Sequence, residues 1–191
     1  MGRTFLCLIL GVSLLWAGIA VAAPPQLKGE YAFTGEATCI TSAEPFNTDA
    51  NNNPTTPSGP WFFESFSVQG VWTFNGNGTG SREGRSVGVS GGSYPGVGSQ
   101  DFQASFGYTV EPDGTFTTWL TSPLTGTYLT GPRAGQTLTI DKIDLTGIIS
   151  NNKNSLTVAS EVPKIETVTF SNGNIHYRVC HRSRVLIWLG K

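Results

Sequence analysis

The chain is short of charge, histidine and cysteine, and each shortage closes off a class of function. Charged residues make up 13% of its 191 residues, against about 25% in an average soluble protein. Twelve Lys and Arg stand against thirteen Asp and Glu. There is no basic excess to neutralise phosphates and release counterions, so no nucleic-acid partner is expected. The only histidines, His176 and His181, lie an odd number of residues apart in one extended stretch and point to opposite faces. No cysteine cluster accompanies them, so neither a metal site nor a cofactor is expected. The stretch "DANNN" (49–53) begins like a calcium loop, but Pro54 stands where the turn glycine belongs and the closing Glu is missing. Beyond the N-terminus no run is long and apolar enough to span a bilayer.

The N-terminus itself reads as an export signal. "MGRTFLCLILGVSLLWAGIAVAA" has one basic residue, Arg3, an apolar run from Phe5 to Trp16, and a small-residue end. That is the layout of a secretory signal peptide over residues 1–22, cut after Ala20-Val21-Ala22. The expected location is secreted or periplasmic. Taking 22 from 191 leaves 169 residues, read as one domain over 23–191, which can bury roughly 70% of its unfolded surface. Cys7 leaves with the leader. Cys39 and Cys180 remain, and in an oxidising compartment they are expected to form a disulfide spanning nearly the whole domain.

What the chain has in plenty is glycine, 24 residues, with Thr, Ser and Asn, arranged as alternating stretches bounded by turn residues. "GEYAFTGEATC" (29–39) is the first strand. "EPFNTDANNNPTTPSGP" (44–60) has no periodicity and reads as a long loop. "WFFESFSVQGVWTF" (61–74) puts Phe62, Phe66, Val68, Trp72 and Phe74 on one face, with Gly70 suggesting a bulge or bend. "NGNG" (75–78) turns into the Gly-rich "TGSREGRSVGVS" (79–90), expected at an edge or beneath a neighbour. A loop is expected over 91–99, and "DFQASFGYTV" (101–110) and "TFTTWL" (115–120) follow around the turn "EPDG". Four further stretches lead to "NIHYRVCHRSRVLIWLGK", with a phase change between Ile140 and Ile143 that implies a bulge. The count is nine or ten strands and no amphipathic helix. The predicted fold is all-β, an antiparallel meander closed into a barrel of eight to ten strands, with a β-sandwich as the alternative.

The last strand poses a question of direction. Tyr177, Val179, Val185, Ile187 and Leu189 share one face; Arg178, Cys180, Arg182 and Arg184 share the other. The more apolar set is expected inside and the arginines in solvent, because buried charges are costly unless paired. Cys39, however, has the parity of Tyr31 and Phe33, so a Cys39–Cys180 bond demands a bulge near Gly35 or a Cys39 already in the loop. The other solution puts the arginines inside, where they need an anionic ligand or buried carboxylates.

No pattern marks a catalytic residue. "GVSGG" (88–92) matches the nucleophile elbow with Ser90 at its centre, but no helix follows it. The aromatic residues Phe62, Phe66, Trp72, Phe74, Phe102, Phe106, Tyr108 and Phe116 either fill a core or wall a cavity, and they are the candidate ligand-lining set. "GEY" (29–31), the run of hairpins, and a basic last strand with Arg178 and Arg182 resemble the lipocalin or calycin group. That likeness implies a secreted up-and-down barrel carrying a small hydrophobic molecule. Tyr31 stands where those proteins carry Trp, and no helix precedes the last strand. "GTYLTGPRAG" (126–135) resembles a stretch of allene oxide cyclase and dirigent-type barrels, implying a barrel enzyme instead. A structural or surface-association module with a filled core is the third expectation.

Overall fold

The computed structural model describes residues 26–92 and 96–190; the leader read in 1–22 lies outside the described residues. The strands are β1 (Lys28–Ser42), β2 (Phe46–Thr48), β3 (Pro54–Pro57), β4 (Trp61–Asn75), β5 (Thr79–Gly92), β6 (Gly96–Val110) and β7 (Thr115–Leu120). Then come β8 (Leu124–Tyr128), β9 (Thr137–Ile140), β10 (Leu145–Ile149), β11 (Ser155–Ala159), β12 (Ile165–Phe170) and β13 (Ile175–Trp188). Among the described residues there is no helix, so none is long and apolar enough to cross a membrane.

Five long strands, β13, β1, β4, β5 and β6, lie side by side in antiparallel register. The rest of the wall is three strands, each broken in the middle. β7 and β8 pair with opposite halves of β6, while β11 and β12 pair with opposite halves of β13. Between them β10 joins β7 to β11, and β9 joins β8 to β12. The meander therefore closes into a ring of eight strands. The expected phase change between Ile140 and Ile143 is the break between β9 and β10, with Ile143 buried inside it. Pro123 and Pro163, which have no N–H for a ladder, stand in the other two breaks.

Several expectations need correction. β5 is not an edge; it pairs along its length with both β4 and β6. Its glycines make room for rings of their register partners on the neighbouring strands: an added Cβ would lie 2.4 Å from the Phe106 ring at Gly80 and 2.6 Å from the Phe66 ring at Gly88. Gly70 makes no bulge, since the register of β4 runs through it unbroken on both sides. β5 and β6 extend into the expected 91–99 loop, β5 as far as Gly92 and β6 from Gly96. The 44–60 loop contains the β2–β3 hairpin, where the Asp49 carboxylate accepts the backbone N–H groups of Asn51 and Asn53.

The largest correction concerns β13. Its pairing with β1 runs from Tyr31↔Trp188 to Ser42↔Tyr177 without a shift, so there is no bulge near Gly35, and Cys39 lies within β1. Cys39 and Cys180 are direct partners, disulfide-bonded with Cα atoms 4.0 Å apart. Because Cys39 shares the inward face with Tyr31 and Phe33, Cys180 also faces inward, and with it every second residue of β13. His176, Arg178, Arg182 and Leu186 are buried, while Ile175, Val185, Ile187 and Leu189 are exposed.

One end of the barrel is packed solid. Trp72, Phe74, Phe106, Tyr108 and Phe116 pack ring on ring, with centroids 4.9 Å apart for Trp72–Phe106 and 5.1 Å for Phe74–Tyr108. Leu145, Leu156 and Leu186 fill around them. The two buried phenols are satisfied: Tyr108 donates to the carbonyl of Leu27 and Tyr31 to that of Lys153, both at 2.7 Å. Each buried ring contributes about 1.5–3 kcal/mol, so this half carries most of the hydrophobic stabilisation. The disulfide ties residues 141 apart in sequence, and closing so long a loop constrains the unfolded chain strongly. The double substitution Cys39→Ala/Cys180→Ala is expected to lower unfolding free energy in guanidinium by about 2–5 kcal/mol; a loss under about 1 kcal/mol contradicts this.

Candidate ligand chamber

The other half of the lumen is polar, and β13 makes it so. Arg178 and Arg182 lie on its inward face, and Glu166 comes from β12, where it is the register partner of Arg178. All three are buried. Arg178 Nε donates to Glu166 Oε2 at 2.9 Å, and Arg182 Nη2 donates to the same oxygen at 2.6 Å. Arg182 Nη1 donates to Glu166 Oε1. Burial pushes the Glu166 carboxyl up, but the charges of Arg182 and Arg178 and their hydrogen bonds outweigh it and hold the group below its usual 4.5. Glu166 is an anion gripped by two cations.

Two further guanidinium groups have no carboxylate. Arg82, from β5, is buried and lies with Cζ 5.3 Å from the Trp72 ring centroid. Its Nε and Nη2 have no hydrogen-bond partner. Burial, and then the charge of Arg182, push it down to about 10. Arg184 is half-buried and donates to the carbonyl oxygens of Glu36 and Ser183 at 2.6 and 2.9 Å. Burial and the charges of Arg182 and Arg82 push it down to about 9. Both remain charged at neutral pH.

These four arginines surround a cavity of 60 Å³ whose walls also include Phe33, Phe66, Trp72, Phe102, Ser86 and Gln100. That is space for about four waters. Ser86 Oγ and Gln100 Oε1 are buried without partners. Phe66, Ser86 and Gln100 also line a second, larger space, a cleft of 280 Å³ that includes Glu64, Ser90, Gly96, Tyr128, Pro132 and Arg133. The two spaces thus share a wall. Beside the cleft, Arg133 donates to the Tyr128 hydroxyl at 3.2 Å and lies over the Phe170 ring at 4.6 Å. Glu64 accepts from Thr41 Oγ1 at 2.8 Å. His176, against Phe62 and Phe170, is pushed down by burial and by the charge of Arg133 and is neutral at pH 7. A 560 Å³ groove lies elsewhere, across residues of outward parity such as Gln69, Glu83 and Gln103, beside the exposed Arg85–Asp101 pair.

The predicted lining residues divide. Phe66, Trp72 and Phe102 line the inner cavity. Phe74, Phe106, Tyr108 and Phe116 pack against one another in the filled half, and Phe62 packs on His176. The lining set did not include Arg82, Ser86, Gln100, Glu166 or the arginines of β13. The signal for the arginines was the parity of Cys39, which carries Cys180 and its neighbours inward. Nothing in the local sequence marks Glu166. Among the described residues no group of three or more His, Cys, Asp and Glu is placed to hold a metal.

The fold and cavity define an eight-stranded antiparallel barrel with an arginine-lined chamber at one end. Compared with protein families, curated proteins and solved structures, the chain matches none.

Glu166→Gln keeps the side-chain shape and removes the charge. With Arg178 and Arg182 left uncompensated, unfolding free energy at pH 7 is expected to fall by about 3–5 kcal/mol. The folded carboxyl lies below its unfolded value, so its contribution is complete above about pH 4.5 and is lost as pH falls through the depressed folded value. Urea titrations at pH 7 and pH 3 check this: the gap between wild type and variant narrows in acid. An equal gap at both pH values contradicts it.

Proposed function

We propose that the protein is a secreted or periplasmic binding protein that holds a small molecule, apolar in its body, at the open end of the barrel. The observation that carries this is the 280 Å³ cleft sharing Phe66, Ser86 and Gln100 with the chamber beneath it. An eight-stranded barrel has room for one small ligand, and the cleft walls offer Phe66, Val97, Tyr128 and Pro132 to an apolar body. The disulfide suits an oxidising compartment, in keeping with the leader read in 1–22.

A barrel enzyme of the cyclase or dirigent kind is the second reading, and the convergence of ionisable groups in the lumen is the observation in its favour. Glu166, however, is bound through both oxygens by guanidinium groups, which leaves it a poor proton carrier. A purely structural module needs a filled core, and only one half of this lumen has one.

Fluorescence of the neutral probe N-phenyl-1-naphthylamine tests the binding reading. Wild type is expected to enhance it saturably at micromolar concentration. A Cβ at Gly96 makes only ordinary contacts, 3.6 Å from Ser90 Oγ and 3.7 Å from Pro132, so Gly96→Phe projects a ring into the cleft. It is expected to weaken the probe at least tenfold with little change in melting temperature. Probe binding that Gly96→Phe leaves unaltered overturns the assignment.

A further inference from the structure

The charges inside the chamber do not balance. Arg82, Arg178, Arg182 and Arg184 around the chamber and Arg133 in the adjoining cleft supply five positive charges, while Glu166 and Glu64, whose charge also acts on Arg178, supply two negative ones. Three are left over, and Arg82 and Arg184, which have no carboxylate, carry two of them at the chamber wall. The excess has an address: Arg82 keeps Nε and Nη2 buried and unpartnered, and Ser86, whose hydroxyl is also unpartnered, lines the same cavity. A lone buried guanidinium destabilises a fold, and its Nε–H and Nη–H fork matches the spacing of two oxygens on a carboxylate or phosphate. Gln100 turns its carboxamide into the same space, and rotation about its last torsion presents an N–H donor there.

We infer that the chamber receives the dianionic oxyanion head of an organic ligand, a phosphate monoester or a paired dicarboxylate, whose body occupies the cleft. The head sits against Arg82, Ser86 and Gln100, with Arg182 and Arg184 completing the field. Two negative charges cancel those of Arg82 and Arg184. This rests on the cleft being a ligand site, and it names the chemistry that the site selects. Group-specific selection by unpaired buried donors is strong, because a ligand without the head leaves them unpaired again.

Calorimetric titration at pH 7.5 with ligands sharing one naphthyl body tests it. 1-Naphthyl phosphate or naphthalene-2,3-dicarboxylate is expected to bind at least tenfold tighter than 1-naphthol and more tightly than the monoanion 1-naphthoate. The tighter of the two dianions assigns the head. The second phosphate proton titrates near pH 6, so the phosphate is expected to weaken on going to pH 5.5. Arg82→Met is expected to bring the phosphate-to-naphthol ratio within twofold, and to raise the melting temperature of the unliganded protein because an unpaired buried charge is gone. A merely structural Arg82 would lower that temperature. Naphthol binding as tightly as both dianions overturns the inference and leaves the cleft reading standing. Binding by none of the naphthyl compounds overturns both. Inorganic phosphate binding as tightly as its naphthyl ester overturns the claim that the chamber holds the head of a larger ligand.

Discussion

The pairing of β13 with β1 decides what the barrel contains. Twelve consecutive pairs run without a shift, and the Cys39–Cys180 bond sits within them. A slip of one residue would turn every side chain of β13 to the opposite face. The arginines would then meet solvent, and Val179, Val185 and Ile187 would fill the lumen. In the register observed, a row of guanidinium groups is held inside and a row of aliphatic side chains is left outside. The covalent staple and the ladder hold an arrangement that side-chain hydrophobicity alone would not choose.

The consequence is a lumen of two characters. Where Trp72, Phe74, Phe106 and Phe116 meet, it is a close-packed core supplying the stability of the domain. Where β12 and β13 face β5, it is a charged chamber only partly neutralised by Glu166. Burying several cations around one anion is unfavourable by itself, so the filled half carries the open one.

Much of the architecture was legible in the chain. Alternation and turn residues mark nearly every strand, and the phase change after Ile140 marks a break in the wall. Two things were obscured. The broken strands look like separate elements, so nine or ten strands were counted, and the predicted barrel of eight to ten strands could not be narrowed to the ring of eight. The inward face of β13 was assigned from its apolar residues, because hydrophobicity is the usual guide to burial. The cysteine parity pointed the other way and was resolved with a bulge near Gly35 or a Cys39 already in the loop, neither of which β1 shows. Of the aromatic set, Phe66, Trp72 and Phe102 do border the cavity. Glu166 could not be singled out, since its partners are 12 and 16 residues away and only the β12–β13 hairpin brings them together.

The burial of the arginine row is what everything functional here depends on, and nitrogen-15 NMR of arginine side chains measures it most directly. The account predicts slowly exchanging Nε–H signals at neutral pH for Arg82, Arg178 and Arg182, all buried, beside fast exchange for the exposed Arg85. If these signals exchanged as fast as that of Arg85, the arginines would face solvent and the chamber described here would not exist.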